Sequence, residues 1–117
     1  MGAKVDLKRG CKTRQLKPLK LNVSFDGSIA TPIPTGPDAR FFSSITDLGV
    51  GQYVLICSQS FEQNLFPDSI ICEGDAKAEI VSVANDRITF DVRSSAGALV
   101  DAVCYVGLMA YDHRFFY

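Results

Sequence analysis

Residues 19–25 read Leu19-Lys20-Leu21-Asn22-Val23-Ser24-Phe25. Apolar and polar side chains alternate without a break. Because successive residues of an extended chain point to opposite faces, Leu19, Leu21, Val23 and Phe25 line one side of a β-strand that begins near Lys17. Asp26-Gly27 then supplies a turn, with a glycine suited to positive φ.

The same period recurs downstream. Ile88, Phe90 and Val92 alternate with Thr89, Asp91 and Arg93, and Asn85-Asp86, residues that tolerate the left-handed region, joins this strand to an earlier one over Lys77 to Ala84. Ala39 to Thr46 and Gln52 to Ser58 read as a hairpin around the glycines of Asp47-Leu48-Gly49-Val50-Gly51. Thr31 to Asp38 holds Pro32, Pro34, Pro37 and Gly36 and cannot donate a regular ladder, so it is a surface loop or crossover. Gln59 to Asp68 reads as a polar loop carrying Phe61, Leu65 and Phe66, Ser69 to Cys72 as a short buried strand, and Ser94-Ser95-Ala96-Gly97 as a turn. A last strand is expected from about Leu99 to Tyr111. Seven or so short strands, with no helical or solenoid period, predict an all-β fold: an antiparallel β-sandwich or jelly roll.

Upstream of Lys17 the pattern stops. Residues 1–16 are expected to be a basic arm, extended or disordered until it binds, and residues 17–117 to make one β-sandwich domain, which a chain of 117 residues suits. Net charge is −1 overall, but its distribution is uneven. Residues 1–20 carry Lys4, Lys8, Arg9, Lys12, Arg14, Lys17 and Lys20 against Asp6 alone, a net +6. The rest carries five basic and twelve acidic side chains, a net −7. Lys4, Lys8, Arg9, Lys12, Arg14 and Lys17 are therefore the candidate partner-binding residues of the arm. Three uses are open: phosphate contacts with nucleic acid, docking on an acidic partner surface, and a solvated tail. An acidic body and an arm without aromatic residues disfavour nucleic acid, so docking is the preferred expectation.

Candidate chemistry is sparse. His113 is the only histidine, beside Asp112 and Arg114, and no motif supplies it with a nucleophile or metal. Cys11, Cys57, Cys72 and Cys104 have no CxxC pair and no histidine at zinc-site spacing. Cys57, Cys72 and Cys104 lie in apolar strand patterns and are expected to be reduced, buried thiols. Glu73 and Asp75 flank Gly74, and Asp91 and Asp101 lie in or beside strands, but nothing pairs them at a glycosidase distance. Asp101 is expected to bond backbone groups in its own turn. No catalytic residue, metal or cofactor is expected. The start lacks the apolar core of a signal peptide and no run reaches the roughly 20 residues of a membrane span, so synthesis in a cytoplasm without membrane association is expected. The terminal Phe115, Phe116 and Tyr117 are candidate interface aromatics, since such a cluster is seldom left in water.

The stretch Phe41-Phe42-Ser43-Ser44-Ile45-Thr46-Asp47-Leu48-Gly49-Val50-Gly51-Gln52-Tyr53-Val54-Leu55 resembles a segment of tailed-bacteriophage virion proteins, in which a serine-rich strand enters a Gly-x-Gly-x-Tyr turn and an apolar strand. Arg87-Ile88-Thr89-Phe90-Asp91-Val92, Gly97-Ala98-Leu99-Val100-Asp101 and Val103 to Met109 are similar to the same pattern, which covers about residues 40–110. The resemblance implies a β-sandwich module in a virion, a homo-oligomer (dimer or trimer), and as partners the major capsid protein or other virion proteins. No long repetitive shaft precedes the β region, which favours a small capsid decoration protein, made in the bacterial host cytoplasm, over a fibre tip. The alternative is a carbohydrate- or receptor-binding module of a tail fibre or tail tip, using Phe61 or Phe66 with Gln59, Gln63 and Asn64.

Overall fold

The structure, a computed structural model, describes residues 17–112. Seven strands follow in order: β1 (Lys17–Asp26), β2 (Phe42–Gly49), β3 (Gln52–Cys57), β4 (Phe66–Cys72), β5 (Lys77–Val83), β6 (Arg87–Arg93) and β7 (Val103–Asp112). They form a three-stranded sheet in the order β1-β7-β4 and a four-stranded sheet in the order β2-β3-β6-β5, with every described pairing antiparallel. The two sheets pack face to face, an antiparallel β-sandwich.

Alternation explains the packing. Leu21, Val23 and Phe25 of β1, Tyr53, Leu55 and Cys57 of β3, Ile88, Phe90 and Val92 of β6, and Cys104, Val106 and Leu108 of β7 all point into one core. At its centre the rings of Phe25, Tyr53 and Phe90 meet, with the Phe25 and Tyr53 centroids 5.1 Å apart and edge-on, a geometry favoured by the ring quadrupoles.

Several boundaries differ from the sequence reading. Ala39–Phe41 is a single 3₁₀ turn, and β2 starts at Phe42 and runs on to Gly49 through residues expected to loop. Pairing with β3 absorbs two register shifts there, at Phe42/Ser44 and at Asp47/Gly49. β4 begins at Phe66 and is largely exposed, because it is an edge strand. Leu99 makes only an isolated bridge to Arg93, and the last strand begins at Val103. Asn85-Asp86 does not enter the left-handed region, since no non-glycine residue among those described has positive φ. Instead Ala84, Asn85 and Asp86 offer their carbonyls to the N–H groups of Leu65, Phe61 and Cys57. Those bonds, with the Asn85 amide donating to the Phe61 carbonyl at 2.9 Å, fasten the 59–65 segment to the sandwich end and drive Phe61 and Leu65 into the core.

Gly27 also has a different role from the expected one. Its φ is not positive. A Cβ there would lie 2.2 Å from Tyr53 Oη and 2.6 Å from the Ala102 carbonyl oxygen, so only the missing side chain lets the β1 turn close over Tyr53.

Candidate functional site

The outer face of the three-stranded sheet carries a groove whose floor is the backbone of Gly107. Gly107 sits on the central strand, and the register places Asn22 of β1 and Ser69 of β4 on either side of it. A methyl group at 107 would come within 3.1 Å of Ser69 Oγ and 3.3 Å of Asn22 Oδ1, so the glycine makes the depression. Its volume is about 240 Å³. One wall is the row Ser24, Tyr105 and Ile71, again in register across the three strands. The Tyr105 hydroxyl donates to Glu73 Oε2, which pins the ring on this face, and the neighbouring carboxylate raises the Tyr105 pKa. Beyond the opposite side, Lys20 of β1 and Asp68 of β4 form an ion pair of 3.0 Å across the sheet; both groups are exposed, so the pair adds little stability. Among the described residues the Asn22 amide and the Ser69 hydroxyl make no side-chain hydrogen bond, which leaves donors and acceptors facing the groove.

A second surface lies where the edge strands of the two sheets meet. β4 and β5 touch but are not hydrogen-bonded to each other. Ile80 and Val83 of β5 are opposite the core residues Phe90 and Ile88, yet they are 44% and 38% exposed because this side of the sandwich is only partly covered. Val81, at the β5 register shift, is 58% exposed, and Phe66 and Ile71 of β4 are 57% and 64% exposed. Phe66 and Ile71, opposite Met109 and Tyr105, lie on the outer face of the three-stranded sheet, whereas Ile80 and Val83 turn toward the space between the sheets. Two adjacent edge strands thus carry exposed apolar side chains on more than one face, and open edges of this kind suit a partner.

The residues singled out from the sequence fare unevenly. Of the arm, Lys4, Lys8, Arg9, Lys12 and Arg14 lie outside the described residues, and Lys17 opens β1 opposite Asp112. His113, Phe115, Phe116 and Tyr117 also lie outside them. Phe61 is corrected: it is 2% exposed and cannot present a ring to a ligand, whereas Phe66 remains open. Cys57 and Cys104 are buried as expected, but Cys72 is only half-buried, because β4 is an edge.

The carboxylates do not converge. Glu73 takes the Tyr105 hydroxyl, Asp75 accepts from the Ser95 hydroxyl at 2.8 Å, and Asp91 lies 3.5 Å from Arg93. Asp101 does accept a backbone bond, but from Gly51 rather than from its own turn. Among the described residues no group of three or more His, Cys, Asp or Glu side chains is placed to hold a metal ion. The Gly107 groove escaped the sequence reading, although a lone glycine inside an otherwise apolar strand is a sign of close approach.

Comparison with protein-family models, with curated proteins and with solved structures finds no match to this chain.

Proposed function

We propose that this protein is a non-catalytic structural subunit of a tailed-bacteriophage virion, a capsid decoration protein that binds and stabilises the major capsid protein shell. The observation that carries an attachment role is the exposure of the apolar side chains Phe66, Ile71, Ile80, Val81 and Val83 on two adjacent edge strands. The phage setting rests on the resemblance over residues 40–110. In this reading these edge strands pack against the shell or against another copy of the chain, and the cations of residues 1–17 dock on acidic patches. Ordering an arm costs about 1–2 kcal/mol per residue, so it needs several contacts or several linked copies.

The test is the copy number of the protein in purified particles, combined with a deletion of residues 1–16. Hundreds of copies per particle, with occupancy that falls as salt rises and a weaker salt dependence after the deletion, is the expected result. A few to tens of copies places the protein in the tail. Unchanged occupancy and salt dependence after the deletion removes the arm from the mechanism.

The Gly107 groove favours a second reading, a carbohydrate-binding module of a tail fibre or tip. A rigid aromatic wall beside unspent amide and hydroxyl groups is what a sugar ring needs: an apolar face to stack on and fixed hydrogen-bond partners. Glycan-array binding that Tyr105→Ala abolishes, without binding to capsids, selects it.

A further inference from the structure

Cys72 near the end of β4 and Cys104 near the start of β7 are direct partners in the β4–β7 register. Their Sγ atoms are 3.7 Å apart, although the residues are separated by 32 positions in the chain. The next pair along, Glu73 and Val103, is joined by a bond from the Glu73 N–H to the Val103 carbonyl at 3.0 Å. Hydrogen-bonded and non-hydrogen-bonded pairs alternate along an antiparallel ladder, so Cys72 and Cys104 occupy a non-hydrogen-bonded site. At such sites the Cα atoms approach to about 4.5 Å, inside the span a disulfide can bridge. Both side chains turn to the inner face, and each sulfur already touches the other.

We propose that Cys72 and Cys104 form a latent cross-strand disulfide, a two-electron oxidation site that closes when the protein meets a small-molecule disulfide such as oxidised glutathione. The half-buried Cys72 is the sulfur that solvent reaches first, and Cys104 is fully buried against it. The Cys72 thiol gives up its proton and attacks one sulfur of the oxidant, breaking its S–S bond and releasing one glutathione thiol. Cys104 then gives up its proton and attacks Cys72 Sγ, breaking the mixed disulfide and releasing the second glutathione thiol. Two protein thiols are oxidised, one small disulfide is reduced, and the released protons leave with the two glutathione molecules. Closure needs only side-chain rotation to bring the sulfurs from contact to a bond of about 2.05 Å. The bond would tie the edge strand β4, which carries the exposed Phe66 and Ile71, to the central strand of its sheet.

The full chain has four cysteines, so the measurement is a thiol count. Purified protein is incubated with oxidised glutathione, unfolded in the presence of N-ethylmaleimide, and weighed intact. Four adducts before oxidation should become two, and a protease digest should contain one cross-linked species joining the Cys72 and Cys104 peptides. Cys11→Ser combined with Cys57→Ala should pass from two adducts to none, and Cys72→Ala should keep its three. If the double variant does not fold, the peptide map of the unaltered chain decides alone. Four adducts after oxidation, glutathione adducts as the end product, or a bond to Cys11 or Cys57 would each overturn the proposal.

Discussion

The Tyr53 hydroxyl donates to Asp101 Oδ1 at 2.7 Å, and the same carboxylate oxygen accepts the Gly51 N–H at 2.9 Å. Tyr53 lies on β3 and Asp101 in the segment before β7, 48 positions later. The bond therefore ties the β2–β3 hairpin to the β7 approach across the sandwich end. The Gly27 carbonyl oxygen is also within 3.2 Å of the hydroxyl, but the hydroxyl has one proton and the carboxylate is the closer and stronger acceptor.

Removing that proton donor tests the tie. Tyr53→Phe should lower stability by about 0.5–1.5 kcal/mol, and Asp101→Ala by about 1–3 kcal/mol, because the second also strips the Gly51 N–H of its acceptor and leaves the Tyr53 hydroxyl only the longer contact to the Gly27 carbonyl. Urea unfolding measures both. The double variant should cost less than the sum of the two singles; strict additivity would show that the pair is not energetically coupled.

Gly51 and Gly97 both have positive φ, +67° and +89°, but their surroundings differ. A Cβ at 51 would meet the Val92 carbonyl oxygen at 2.6 Å and the Val100 nitrogen at 2.8 Å, while one at 97 meets nothing within 4 Å. Gly97→Ala should therefore cost only the left-handed penalty of about 1–2 kcal/mol. Gly51→Ala should cost at least about 3 kcal/mol or prevent folding, since backbone cannot move aside. Equal effects at the two sites, read from thermal melts, would contradict this account.

Burial pushes the Cys57 thiol up to about 12 and raises those of Cys72 and Cys104 as well. In the unfolded chain these thiols ionise near their ordinary 9.0. Above that pH the unfolded state sheds protons that the folded state keeps, so stability is full below about pH 9 and is lost as pH rises. The slope is at most about 1.4 kcal/mol per pH unit for each thiol. The urea midpoint should fall between pH 9 and 11, and Cys57→Ala should fall less steeply.

The proposed attachment surface makes a separable prediction. Ile71→Asp and Val81→Asp alter exposed side chains, so each should change folding stability by no more than about 0.5 kcal/mol. Binding to particles, followed by co-sedimentation, should weaken about tenfold or more, because a carboxylate is then desolvated against an apolar partner. Undiminished binding by both variants would remove these edge strands from the interface.

Strand-forming segments were legible in the sequence where one face is buried and the other wet. β1 and β6 show that alternation residue by residue, and the structure keeps their spans nearly as read. Legibility failed at edges and ends. β4 looked buried because it is apolar, and Phe61 looked available because its neighbours are polar. Burial there depends on what lies alongside, and periodicity does not report neighbours. The candidate site was less legible still. Asn22, Ser69 and Tyr105 belong to three different strands, and only the pairing of β7 with both β1 and β4 brings them to one groove.

The sequence by itself determined the all-β class, the glycine turns after β2 and β6, and the charge contrast between residues 1–20 and the rest, since each depends on residues within a few positions of one another. Only the tertiary structure decided the strand order, the contact of Cys72 with Cys104, and the tie between Tyr53 and Asp101. Those relationships join residues 32 and 48 positions apart. They arise because side chains select their neighbours by filling a shared core, an outcome of the whole chain's packing that no local pattern encodes.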